Sequence, residues 1–145
     1  MNLLYYPDPR LQMVCDPLDP ERREENAHLL DEMWKVMQQY NGVGLAAPQV
    51  GSPTRAIIIK IPGGCEIEVI NPVLDVSKRH GKFQSYEGCL SWPGQNATVT
   101  RYIKARVTGL DRCGEPVTFG GKMMQAAALQ HEVEHLDGIN LADKV

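Results

Sequence analysis

The chain has 145 residues, 43% apolar and 23% charged, the make-up of one folded domain with its own core rather than a disordered or fibrous chain. A formal net charge of −3, with 15 Lys and Arg scattered among 18 Asp and Glu, argues against the basic footprint of a nucleic-acid binder, so no nucleic-acid partner is expected. The N-terminus lacks a basic-then-apolar leader and no run approaches 18 apolar residues, so the expectation is a cytoplasmic protein without membrane contact, its Cys15, Cys65, Cys89 and Cys113 reduced.

Turn-forming Pro7, Asp8, Pro9, Asp16 and Pro17 make residues 1–19 an irregular arm laid over the domain. Asp19-Pro20 offers a helix N-cap followed by a first-turn proline. Beyond it Leu30, Met33, Trp34 and Met37 recur at i, i+3, i+4 and i+7, so the spacing predicts an amphipathic helix ending near Tyr40-Asn41-Gly42. Gly42 to Gly51 then holds three glycines and two alanines, which lets its backbone approach a neighbour closely. It is no dinucleotide fingerprint, because the third glycine is misplaced and the stretch precedes a strand.

Ala56 to Ile61 is a continuous, isoleucine-rich apolar run, the mark of a buried strand. After Pro62-Gly63-Gly64, Ile67 and Val69 alternate with Glu66 and Glu68 in an antiparallel partner. Val73 to Val76 and Lys82 to Tyr86 read as two further short strands, and Thr98 to Leu110 as the longest alternating one. Arg101 falls on the apolar face of that last stretch, where a bare guanidinium is costly, so a carboxylate partner is expected, with Glu87 the candidate. A turn at Asp111-Arg112-Cys113-Gly114 leads into a strand at Pro116 to Phe119. Strands followed by a terminal helix make the class α+β: antiparallel or mixed sheets around a central C-terminal helix, in one domain spanning 1–145.

That terminal helix, about residues 122–137, has two apolar faces. Met124, Ala127, Ala128, His131 and His135 share one arc, and Leu129, Val133 and Leu136 lie opposite, so the helix is buried from both sides. His131 and His135 project about 40° apart and can reach one metal ion. Cys89, in Glu87-Gly88-Cys89-Leu90-Ser91, is the best third ligand, since a Gly-containing segment between strands presents a thiolate with little bulk; His28 and His80 stand in polar surroundings. One Cys and two His leave a tetrahedral ion with an open fourth position, the arrangement of a catalytic site, where a water becomes acidic enough to lose a proton near neutral pH. Glu132 and Glu134 flank the histidines on opposite sides, and helix geometry does not separate them as general base; the His-Glu-x-x-His pattern favours Glu132. The Gln49 amide and the Leu90 backbone N–H are candidate donors to a developing oxyanion.

Taken together, Gly42 to Gln49 (Gly-x-Gly-Leu-Ala-Ala-x-Gln), Glu87 to Ser91 (Glu-Gly-Cys-x-Ser) and His131 to His135 (His-Glu-x-x-His) resemble the three motifs of the peptide deformylase family, in order and in approximate spacing. Tyr6 to Leu11 also looks like that family's N-terminal arm, so the resemblance covers nearly the whole chain. It implies a hydrolase that removes the formyl group from N-formylmethionyl peptides and releases formate. Cys89, His131 and His135 would hold one divalent ion, Fe(II) by expectation, with Zn(II), Ni(II) or Co(II) also suited. Glu132 would move the proton, Gln49 and Leu90 N–H would stabilise the oxyanion, and Gly44 would touch the formyl end or peptide. Val43, Trp92, Met124, Ala127 and Ala128 would border the methionine pocket.

The chain departs from the family pattern in Glu134, where Asp is usual, in Asn96, where many bacterial members carry Arg, and in the small Ala127 and Ala128. It also stops soon after His135, which resembles organellar-type or phage-encoded short forms and puts ribosome contact in question, with a host cytoplasm expected if phage-encoded; a monomer is expected separately. Two rivals remain at this stage. A zincin-type metallopeptidase needs a third ligand downstream of His135, where little chain is left, and a non-catalytic metal-stapled binding module needs a fourth protein ligand that the chain does not offer.

Overall fold

A computed structural model describes residues 1–145. Helix α1 (Arg23–Gln39) is followed by strands β1 (Gly44–Ala46), β2 (Ala56–Lys60), β3 (Glu66–Val76), β4 (Lys82–Cys89), β5 (Trp92–Tyr102), β6 (Lys104–Leu110) and β7 (Pro116–Lys122), and then by helix α2 (Met124–Leu136). The strands form an antiparallel five-stranded sheet, in the order β1-β2-β3-β6-β7, and a separate β4-β5 hairpin. This is the α+β class expected.

Strand β2 explains the layering. Its side chains alternate between two cores: Ala56 and Ile58 join Leu30, Met33 and Met37 of α1, whereas Ile57 and Ile59 join Leu129, Val133 and Leu136 of α2. A strand covered on both faces needs no polar positions, hence its unbroken apolar run. Each fully buried Leu or Ile contributes roughly 1.5–3 kcal/mol of burial. The opposite face of α2 looks toward the β4-β5 hairpin, so the helix lies between two layers, and nine of its residues are buried. Gly138, at φ +76°, ends α2: its N–H and that of Ile139 return to the carbonyls of His135 and Glu134, at 3.1 and 3.0 Å.

Several elements depart from the expected boundaries. Helix α1 begins at Arg23 rather than at Pro20, because Asp19 closes a turn of its own, taking the Glu21 N–H on Oδ1 (3.0 Å) and the Asn26 amide on its carbonyl (2.9 Å). Ile67–Val69 and Val73–Val76 belong to one strand, irregular between Ile70 and Val73, where Asn71 at φ +54° holds both backbone polar groups of Leu18. The long alternating stretch divides at Ile103 into β5 and β6, which enter different sheets. The Gln130 side chain brackets Tyr102, accepting its N–H and donating to its carbonyl, both at 2.9 Å, and so ends β5. All four cysteines are free thiols.

Candidate metal centre and cleft

Helix α2 presents His131 and His135 one turn apart, ring centroids 5.1 Å from each other. Cys89, at the end of β4 beside an irregularity in the hairpin register, faces them, with Sγ 3.4 Å from His135 Nε2. One ligand atom from each of the three residues lies within 4.8 Å of the others. A tetrahedral ion with bonds of about 2.0–2.3 Å needs adjacent donors roughly 3.3–3.7 Å apart, so this donor set fits a divalent transition metal.

His131 is held from behind. Glu87 Oε1 accepts from His131 Nδ1 at 3.0 Å, which leaves His131 Nε2 for an ion. Glu87 is in turn gripped by Arg101, through Nε (2.9 Å) and Nη2 (2.7 Å), and Arg101 is only 3% exposed. Burial works to raise the Glu87 carboxyl, but the hydrogen bonds from Arg101 and His131 prevail and hold it at about 2. The guanidinium therefore has the carboxylate expected for it, and a second one besides: Glu134 also pairs with Arg101, and with Lys144 Nζ at 2.8 Å. Buried and charged at once, the cluster is tolerable only because every charge has a partner.

The two glutamates of α2 thus have different surroundings. Glu134 is turned toward Arg101 and Lys144, away from the histidines. Glu132 is buried against Gly44, and its Oε1 has no hydrogen-bond partner. Burial raises its carboxyl to about 7, with the His131 charge pulling the other way. Desolvation lowers both imidazoles; for His131 it is outweighed by the Glu132 charge and by hydrogen bonds to Cys89 and Glu87, which lift that ring well above its ordinary value. For His135, burial together with the His131 charge outweighs the opposing hydrogen-bonding influence of the Asn140 side chain and leaves it well below.

Gln49 is 1% exposed. Its Oε1 accepts the Ala46 N–H at 2.9 Å, so its Nε2 must face the other way, toward Ser91 Oγ at 3.0 Å and Cys89 Sγ at 3.6 Å. A cleft of about 870 Å³ opens over this floor. Cys89, His131, Glu132, Gln49 and Leu90 line it, and so do Val43, Gly44, Trp92, Met124, Ala127 and Ala128; His135 lies beneath, 1% exposed. The sequence reading omitted Ser91 and the lining tyrosines Tyr5, Tyr40 and Tyr86. The tyrosines come from three separate segments and share no spacing that would have marked them, whereas Ser91 stands inside a motif already quoted.

Converging Cys and His donors beside an unpartnered buried glutamate, at the base of a cleft, are the arrangement of a mononuclear metallohydrolase. The polypeptide deformylase family model matches residues 1–145. Peptide deformylase of Wolinella succinogenes is 42% identical, covering 100% of this chain and 88% of its own, and that of Carboxydothermus hydrogenoformans is 42% identical, covering 94% and 88%. Among solved structures, the class I type b peptide deformylase of Acinetobacter baumannii superposes with a TM-score of 0.92 at 30% identity, over 97% of this chain and 96% of that one. The peptide deformylase of Vibrio parahaemolyticus bacteriophage VP16T, in complex with actinonin, gives 0.88 at 33% identity, over 97% and 100%. The chain belongs to the polypeptide deformylase family, a family of metal-dependent enzymes.

Proposed function

We propose that this enzyme removes the formyl group from N-formylmethionyl peptides in the cytoplasm, releasing formate, with Cys89, His131 and His135 holding Fe(II). Zn(II), Ni(II) and Co(II) suit the same donors. When bound, the ion would supply Lewis acidity, making a water beside Glu132 and the formyl carbonyl more reactive. Glu132 takes the proton of the attacking water and returns it to the departing amine. The Gln49 amide, its other end occupied by Ala46, donates to the developing oxyanion together with Leu90 N–H. Gly44 meets the formyl end of the peptide, and Val43, Trp92, Met124, Ala127 and Ala128 receive the methionine side chain.

The observation that carries this reading is the environment of Glu132. Its carboxyl is buried and unpartnered beside the proposed ligands, open to hydrogen-bond a water there, while Glu134 is committed to an ion-pair cluster. The test is formate release from a formyl-Met tripeptide by the Fe(II)- or Ni(II)-loaded enzyme, beside the same peptide carrying an acetyl group. Release from the formyl peptide with little from the acetyl one supports the assignment, and cleavage of internal peptide bonds instead would overturn it.

A further inference from the structure

His131 and His135 are treated differently by their surroundings. His131 Nδ1 has the Glu87 carboxylate, whereas His135 Nδ1 is buried without a hydrogen-bond partner. Because His135 Nε2 is the atom turned to Cys89 Sγ, the bare Nδ1 is on the other side of the ring from the thiol. The chain that follows α2 turns back through Gly138, where an added Cβ would stand 2.5 Å from the Gln12 carbonyl, and delivers Asn140, itself 4% exposed.

The Asn140 amide is oriented by the N-terminal arm. Its Nδ2 donates to the Leu11 carbonyl at 3.0 Å, and its backbone N–H to Asp143 Oδ2 at 2.9 Å. The other end of the amide, Oδ1, is buried with no partner. An unpartnered acceptor, Asn140 Oδ1, and an unpartnered ring nitrogen, His135 Nδ1, are thus both buried, and the Asn140 side chain stands within hydrogen-bonding influence of the His135 ring.

We propose that Asn140 is a positioning residue for the metal centre: its Oδ1 accepts the Nδ1–H of His135 and thereby fixes the ring and the tautomer that presents Nε2 to the ion. Histidine ligands ordinarily donate their second N–H to an acceptor, and that acceptor tunes metal affinity. One ligand here leans on a carboxylate and the other on a neutral amide. The choice suits the charge: a Cys89 thiolate, Glu132 and Glu87 already crowd the site, and a further anion behind His135 would be buried without a cation. The amide is set by Leu11, so the arm reaches the metal site through one side chain. The proposal rests on the metal-site reading above, and its test separates the two.

The test compares wild type, Asn140→Leu and Asn140→Asp as full chains, by Co(II) titration followed in the visible spectrum and by thermal unfolding with and without metal. Asn140→Leu is expected to bind Co(II) 10–100-fold more weakly, with altered ligand-field bands, and Asn140→Asp, which keeps an acceptor but adds a buried charge, to recover part of the affinity. Wild-type Co(II) affinity in Asn140→Leu, with only a lower Tm in both metal-free and loaded forms, would overturn the proposal and leave the metal site standing. Failure of the wild type to bind Co(II) would overturn both. Should Asn140→Leu not fold, nitrogen NMR of the wild-type Zn(II) protein decides: a protonated, exchange-protected His135 Nδ1 supports the proposal, and an unprotonated or freely exchanging one ends it.

Discussion

Gly44 and Glu132 meet with no side chain between them: a Cβ added to Gly44 would fall 2.9 Å from Glu132 Cδ and closer still to Oε2. Strand β1 can therefore lie directly on the carboxylate, because the contact is backbone on one side. Gly44→Ala is expected to push Glu132 aside and lower kcat by about 10²-fold, the low end of the contribution of a positioned base. Metal content measured on the purified variant should match wild type, since no ligand is touched.

Glu132 also makes the metal-free protein pH-sensitive. A carboxyl at about 7 when folded, against an ordinary 4.5, binds its proton more tightly in the folded state, so its contribution to stability is intact below pH 4.5 and is lost as pH rises toward 7. Glu132→Gln should consequently stabilise the metal-free protein progressively across that window, by up to roughly 3 kcal/mol above it. Urea unfolding at pH 5 and pH 8 measures the difference, and an equal effect at both would contradict it. The variant should retain metal and lose turnover.

Arg101 neutralises two carboxylates that reach it from β4 and α2. Arg101→Met would leave Glu87 without its guanidinium and Glu134 with Lys144 alone, at a cost of about 3–5 kcal/mol. Glu134→Gln should cost much less, because Glu134 is only partly buried and Glu87 still engages the guanidinium. Thermal unfolding of both variants gives the ordering. Arg101→Met should also weaken metal binding, since Glu87 would no longer be held against His131.

Gln49 is fixed at one end by the Ala46 N–H and at the other points its Nε2 toward Ser91 Oγ and Cys89 Sγ, at the floor of the cleft. Gln49→Ala is expected to lower kcat by about 10²–10³-fold with metal retained, the size of a lost oxyanion donor. Stopped-flow assays on the loaded variant check this; a rise in KM with kcat unchanged would make Gln49 a binding residue instead.

The features legible in the sequence were those set by periodicity: the apolar stripe of α1, the two-sided burial of β2, and the double face of α2 that carries both histidines. Cys89 could be chosen as their companion because its neighbours leave room around the thiol. What lay beyond reading was decided by side chains distant in sequence. The break at Ile103 follows from the Gln130 amide bracketing Tyr102, and the late start of α1 from Asp19 satisfying its own turn. Glu132 and Glu134 looked equivalent on the helix; Arg101 of β5 and Lys144 near the chain's end distinguish them. The tyrosines that line the cleft come together only when the end of α1, the arm and the hairpin assemble.

The β4-β5 hairpin shares no ladder with the larger sheet, and its contribution to the proposed ligand set is a single thiolate, while both imidazoles ride on a helix anchored to the other layer. An ion bound there would be a cross-link between two separately hydrogen-bonded bodies, closing a long loop that runs through β5, β6 and β7. Like a disulfide, such a link restricts the unfolded chain, and part of the metal's binding free energy becomes folding free energy. The hairpin also carries Leu90 and Trp92 on one wall of the cleft. The ion that activates the water would thus also set the spacing between the walls on either side of the substrate.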